Sequence, residues 1–198
     1  MNHNYTLKPE SVQEDMKNIA SDLMNNWALR VGETKYQICE IEFYYNQGQE
    51  HHDPYLHGHD LQNKYGRWYF HGSGLDFTIG TPQYAASILI RAILNLQTNE
   101  YTYGPLMIVS ELFNAMGSCK INQLNIGIEP RKIDLDLLEK PIASRRVGLN
   151  PDKNKLMHSA LYRFLIMPKQ KHADKSGIEK VMRESGKYSE TEIKGIWG

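Results

Sequence analysis

The chain predicts a single α+β domain with a mainly antiparallel sheet flanked by helices, followed by a helical C-terminal extension. Three observations carry this. A length of 198 residues with 40% apolar content suits one domain with one sizeable core. Period-2 runs rich in Ile, Tyr and Phe are interleaved with two amphipathic helical stretches. After Pro168 the composition turns polar and shows two helix-start patterns. The division is therefore residues 1–167 for the domain and 168–198 for the extension.

The first helix is predicted over about residues 12–27. Ser11 with Glu14 three positions on reads as a capping box, and Val12, Met16, Ile19 and Leu23 recur at helical spacing. A strand follows over 36–45, then a polar, His-rich loop from Asn46 to Lys64. Residues 66–80 alternate on either side of Gly72-Ser73-Gly74 and read as a hairpin. Residues 87–96 are apolar on both faces except for Arg91. Their Ile content fits a buried strand, with a helix as the alternative. Pro105 opens a second helix over 105–116, with Leu106, Val109, Leu112, Phe113 and Met116 as its stripe and Gly117 as its stop. Short elements are expected over 121–149 and a last strand over 161–167. In the tail, Ser176 with Glu179 and Ser189 with Glu192 both read as capping boxes.

Composition narrows the function classes. No apolar stretch reaches membrane-spanning length, and the polar start does not read as a signal peptide, so a cytoplasmic protein without a membrane partner is expected. Cys39 and Cys119 have no ligand spacing and are expected to be reduced, structural thiols. Net charge is zero but unevenly placed. Residues 1–130 carry 8 Lys/Arg against 14 Asp/Glu, and residues 131–198 carry 15 against 9. A phosphate-binding surface is most easily built from Arg131, Lys132, Arg145, Arg146, Lys153, Lys155 and Arg163; the alternative is an ordinary mixed surface with a basic tail.

Four features bear on chemistry. In a strand over 36–45, Glu40, Glu42 and Tyr44 share a face, with the two carboxylates about 7 Å apart. This is either a general-base face or the exposed polar face of an edge strand. Arg91 in an apolar run needs a carboxylate or phosphate partner. His51, His52, His57, His59 and His71, with Asp53 and Asp60, read as a metal site or as solvated and substrate-contacting side chains; no ligand motif fixes their geometry. Tyr44, Tyr69 and His71 form a stacking platform for a planar ligand or pack as ordinary core. Gly72-Ser73-Gly74 lacks the rest of a phosphate-loop pattern and reads as a tight turn. No nucleophile-elbow or kinase motif is present.

Taken in order, these segments resemble the alkyladenine (3-methyladenine) DNA glycosylase family across roughly residues 14–167. Ile38-Cys39-Glu40-Ile41-Glu42-Phe43-Tyr44 is similar to that family's (I/V)-x-E-x-E-x-Y strand, and Asp53-Pro54-Tyr55-Leu56-His57 to its D-x-x-x-H. Gly66 to His71 is similar to its G-x-x-Y-x-aromatic strand, and Leu89-Ile90-Arg91-Ala92 to its L-x-R-A strand. Gly104-Pro105, Arg146-Val147-Gly148 and Arg163-Phe164 complete the series. The resemblance implies a strongly curved sheet and hydrolytic removal of damaged or alkylated purines from DNA, as in base excision repair after base flipping. It implies Glu42 as the base that activates water, with Arg91 holding the catalytic side of the pocket. Tyr44 and His71 would sandwich the base and His57 would sit near the sugar or phosphate. Tyr69 and Asp76 belong to the same substrate-binding set. Arg145, Arg146, Lys153 and Arg163 would follow the DNA backbone. No metal or other cofactor is implied. Three positions depart from the family: His71 replaces a stacking tyrosine, Gly80 falls near an expected pocket asparagine, and Ser73 stands where a bulky wedge is expected at the hairpin tip. The same residues also allow a non-catalytic nucleobase, nucleotide or nucleic-acid binding protein, or a metal-dependent hydrolase built on the His-rich loop.

Overall fold

Residues 5–117, 126–131 and 138–197 are described by a computed structural model. The chain leads into α1 (Val12–Asn26), which buries Met16, Ile19, Ala20, Leu23 and Met24 at three- and four-residue spacing. Its start is not a capping box: the Ser11 hydroxyl donates to Asp15 at 2.9 Å, and Glu14 pairs instead with Lys17. The helix passes directly into β1 (Trp27–Val31), a strand that WALRV does not announce by alternation. Gly32, at φ +57, turns the chain into β2 (Thr34–Asn46).

β2 is the spine of the sheet. On one side it pairs antiparallel with β5 (Ala85–Asn95) along most of its length. On the other it pairs first with β1 and then, over Glu40–Glu42, with β9 (Arg163–Leu165). The change of partner coincides with a register irregularity between Ile38 and Ile41, the kind of bulge that bends a strand and re-aims its side chains. The hairpin lies at one end of the sheet, where β3 (Trp68–His71) and β4 (Gly74–Thr78) are joined by the two-residue turn Gly72-Ser73. β4 pairs with β5, and β6 (Tyr101–Tyr103) extends the far part of β5. β7 (Ile126–Pro130) pairs with β1, and β8 (Ile142–Ser144) with β9. Among the described residues these nine strands make one antiparallel sheet, curled into a half-barrel and accompanied by five helices, as the fold class required.

The main core lies between the sheet and α1, where Ile41, Phe43, Ile88 and Ile90 meet Met16, Ile19 and Leu23. α2 (Pro105–Met116) spans the predicted residues and packs on β4, β5 and β6, burying Ile108 and Leu112. α3 (Lys155–Ser159) is a single turn capped by the Asn154 side chain. In the extension, α4 (Lys175–Ser185) is capped by Asp174, in the left-handed region, whose carboxylate accepts from Gly177 N–H; Ser176 lies inside the first turn, not at the cap. A carboxylate at this place satisfies the free N–H groups and also complements the helix dipole. The Ser189–Glu192 box does form and opens α5 (Glu190–Trp197). Ile178, Met182 and Ile193 pack on Ile142 and Leu165 as a second apolar cluster. No helix among the described residues is long and apolar enough to cross a membrane. Cys119, Lys132 and part of the 121–149 region lie outside the described residues; Cys39 is buried, which pushes its thiol well up.

Candidate functional site

The strand alternation correctly places Glu40, Glu42 and Tyr44 on one face, but that face is not solvated. Both carboxylates are fully buried at the middle of the sheet, which overturns the reading of an exposed polar edge. β5 supplies the compensating charge, because Arg91 projects onto both. Its Nε donates to Glu40 at 2.9 Å and its Nη1 lies 3.3 Å from Glu42. The two carboxylates then diverge. Glu40 accepts additionally from Arg163 Nε on β9 (2.8 Å) and meets His172 Nδ1 in the extension (2.5 Å). Glu42 accepts from Val147 N–H (2.8 Å) and from the Tyr44 hydroxyl (2.9 Å).

These surroundings drive the two acids in opposite directions. Burial pushes both carboxyl groups up. At Glu40, His172, Arg163 and Arg91 outweigh burial and hold the group below the ordinary carboxylate range. At Glu42, burial prevails over Arg91, Val147 and Tyr44, so its proton affinity is raised. Adjacent carboxylates tuned apart in this way are how one site separates a structural anion from a proton acceptor. Burial opposes the Arg91 charge as well, but Glu42 and Glu40 together keep the guanidinium protonated.

Next to this cluster is an open cavity of about 430 Å³. Its walls include Tyr44 and Arg91 from the central strands, His71 and Asp76 from the hairpin, and His57 and Lys153 from the loops. Five of the seven residues expected to carry catalysis or bind substrate therefore reach one cavity wall: Arg91, Tyr44, His57, His71 and Asp76. Glu42 stands immediately behind that wall. Tyr69 does not line the cavity; its ring stacks on His59 at 4.5 Å. The hairpin face is internally tied: His71 Nε2 donates to Asp76 (3.0 Å), Asp76 accepts from Ser87 (2.6 Å), and Ser87 accepts from Gln62 (2.9 Å). Ser73 N–H donates to His71 Nδ1, so the imidazole ring is fixed at both nitrogens. His57 meets His71 edge to face at 4.6 Å, and partial burial beside His71 and Lys153 pushes its imidazole below the ordinary value.

Two of the residues expected on a DNA backbone are placed elsewhere. Arg163 is fully buried and spent on Glu40 and the Ala173 carbonyl. Arg146 is also buried: it pairs with Asp53, donates to the carbonyls of Phe43 and Met157, and lies 4.8 Å behind the Tyr44 ring. Side chains this desolvated exist only with fixed partners, so neither is a surface cation. Arg145 is half-buried and Lys153 is exposed at the cavity. The histidines likewise divide by role. His51 is held between the Tyr45 carbonyl and the Tyr162 hydroxyl, and His52 is exposed. Among the described residues no group of three or more His, Cys, Asp or Glu side chains is arranged to hold a metal.

Gly80 has a steric explanation. A Cβ there would fall 1.7 Å from the Gln62 carbonyl oxygen, so backbone occupies the place where a pocket asparagine was expected. At the hairpin tip, a Cβ on Gly74 (φ +144) would meet Pro105 Cβ at 2.6 Å, which docks the turn directly on the start of α2. Sequence reasoning missed His172, Gln62 and the Val147 N–H. A histidine in a polar tail and a backbone donor leave no pattern to find. The Arg-Val-Gly segment was the one available signal for Val147.

No protein-family model matches the sequence. Over 141 residues the chain is 30% identical to Uncharacterized protein L759 of Acanthamoeba polyphaga mimivirus. The match covers 59% of this chain and 65% of that relative, so it spans less than two thirds of the relative's length.

Proposed function

We propose that the protein is a hydrolytic N-glycosylase that removes a modified purine from DNA, with Glu42 accepting the proton of the attacking water. One observation carries this reading. A buried carboxylate of raised proton affinity stands directly behind the Tyr44–Arg91 wall of a cavity sized for a small planar ligand. Water oxygen bonds to the sugar C1′, the C1′–N bond breaks with its electron pair passing to the base, and the water proton passes to Glu42. The Tyr44 hydroxyl already donates to Glu42, so it can take the water proton as it hands over its own. Arg91 holds the carboxylate in place. An alkylated purine that carries positive charge leaves as a neutral base and needs no acid from the protein. Tyr44, backed by Arg146, and His71, fixed by Asp76, supply rigid walls for the extruded base. Lys153 and Arg145 are the cations left for the phosphates.

A second reading, a nucleobase-binding protein that does not cleave, is favoured by one specific feature. Glu42 has no accessible surface, and both its oxygens are already hydrogen-bonded. Incubating the protein with duplex and single-stranded oligonucleotides carrying an alkylated purine, then cleaving abasic sites with alkali, separates the two. Excision by the wild type that falls at least ~100-fold in Glu42→Gln supports the glycosylase. Binding of the same oligonucleotides or of free purines, without abasic sites in any reaction, selects the binding protein. Equal excision by wild type and Glu42→Gln removes Glu42 from the mechanism.

A further inference from the structure

The helical extension is joined to the carboxylate cluster by one side chain. His172 lies two residues before Asp174, the cap of α4, in the stretch that follows Pro168, and it is buried. Its Nδ1 meets Glu40 at 2.5 Å and its Nε2 meets the Met167 carbonyl at 3.0 Å. Both partners of the ring are acceptors, and an imidazole bound this way clamps what it touches at a fixed angle. Arg163 grips the same carboxylate from β9, and its Nη2 donates to the Ala173 carbonyl, tying the segment around His172 back to the sheet. Tyr101 and Tyr103 close the space over the His172 ring, with centroids 6.0 and 6.4 Å away.

The consequence reaches Arg91. Glu40 Oε1 receives Arg91 Nε and Arg163 Nε together, while its other oxygen is taken by His172. Held at both oxygens, Glu40 is fixed in rotation, and Arg91 is pinned by Nε. The guanidinium then presents Nη1 to Glu42 at 3.3 Å, a loose contact compared with the 2.9 Å bond to Glu40. Freed from Glu40, Arg91 could swing into a closer, two-pronged pair with Glu42, the strongest geometry available to these groups. Such a pair would occupy the lone pairs that a proton acceptor must keep free.

We propose that His172 is a positioning residue: by clamping Glu40, the C-terminal extension sets the orientation of Arg91 against Glu42 and so completes the site at the cavity wall. The catalytic part of this statement rests on the glycosylase reading; the positional part does not.

Two measurements on the full chain keep them separate. The first follows the Arg91 side-chain Nε–H by 1H–15N NMR, assigned through Arg91→Lys. In the wild type this proton, buried and bonded to Glu40, is expected to exchange slowly with water. In His172→Ala its exchange accelerates at least ~10-fold, while backbone amides of α1, on the other side of the core, keep their rates. His172→Gln, whose amide can still donate to Glu40, recovers part of the protection. If His172→Ala does not fold, Arg163→Lys replaces it, because the ammonium keeps the charge but loses the Nε contact, and the same acceleration is expected. Unchanged Arg91 exchange in a folded variant overturns the proposal, as does equal acceleration across all backbone amides, which marks general destabilisation. The second measurement is single-turnover excision on an alkylated oligonucleotide. The rate falls ~10-fold or more in His172→Ala with substrate affinity unchanged, and His172→Gln restores part of it. If the wild type excises nothing, the glycosylase reading fails while the NMR result still decides whether His172 positions Arg91. An affinity loss with an unchanged single-turnover rate overturns the catalytic part.

Discussion

Replacing Glu40 tests the reasoning about the buried cluster most directly. The wild-type carboxylate is contacted by three donors at 2.9, 2.8 and 2.5 Å and has no accessible surface. Glu40→Ala removes the common acceptor. Among the described residues, Arg91 keeps only its looser contact with Glu42 among carboxylates, and Arg163, whose Nη1 has no partner there, retains the Ala173 carbonyl. Removing one member of a buried ion pair leaves an uncompensated charge and costs about 3–5 kcal/mol, and the vacated space adds to this. Glu40→Gln behaves differently. Its amide oxygen can still accept from the two guanidinium groups, and its amide N–H can face His172 Nδ1 when the ring keeps its proton on Nε2, toward the Met167 carbonyl, alone. What it loses is the charge assistance, about 1.5–3 kcal/mol. Alanine should therefore be the worse substitution by about 2 kcal/mol. Linkage adds a sign. The Glu40 carboxyl is held below its unfolded value, so its stabilisation is fully present above pH ~4.3 and is lost as pH falls through the folded value. The gap between wild type and Glu40→Gln should accordingly shrink on acidification below about pH 4. Urea unfolding followed by tryptophan fluorescence reads all three quantities. An alanine variant within about 1 kcal/mol of wild type, or a glutamine variant as damaged as alanine, would refute the account of this cluster.

Glu42 carries the opposite sign. Its folded proton affinity is raised by burial, so the ionised form opposes folding at neutral pH. Glu42→Gln should therefore be more stable than wild type by about 0.5–2 kcal/mol near pH 7, with its amide oxygen toward Val147 and its amide N–H toward Tyr44. That gain should fade as pH drops toward ~4, where the unfolded carboxyl is protonated too; a thermal-melt series across pH checks it, and a destabilised variant at neutral pH contradicts it. Gly80→Ala should cost about 3 kcal/mol or more, because its Cβ meets backbone and not a movable side-chain end. Denaturation midpoints measure this, and a change below about 1 kcal/mol would mean that the Gln62 backbone can yield.

Much of the architecture was legible because it is local. Alternation in 36–45, the continuous Ile-rich run in 87–96, a glycine-flanked turn at 72–74 and Pro105 before an apolar stripe each act over a few residues; the first, third and fourth produced the expected elements, and the second formed the strand of its two alternatives. Local competition explains the misses. Asp174 is the stronger cap and displaced the Ser176 box, while Asp15 took the Ser11 hydroxyl that the first box would have used. β1 went unseen because five residues pressed between two neighbours need no alternation of their own.

For the site, the shared face of Glu40, Glu42 and Tyr44, the need of Arg91 for a carboxylate, and the hairpin carrying His71 and Asp76 all follow from the order of residues along single strands. Strand geometry dictates on which side a group points, and no more. Whether that side meets water or another layer depends on β9, the segment that carries Val147, and the extension, all more than a hundred residues downstream of β2. For that reason the sequence alone could not tell the buried Arg146 and Arg163 from the exposed Lys153, all of them cations in a basic region. Nor could it tell that His172 would close on Glu40. Desolvation, which separates Glu42 from Glu40 as proton acceptor from structural anion, is a property of everything packed around a group, and only the tertiary structure supplies it.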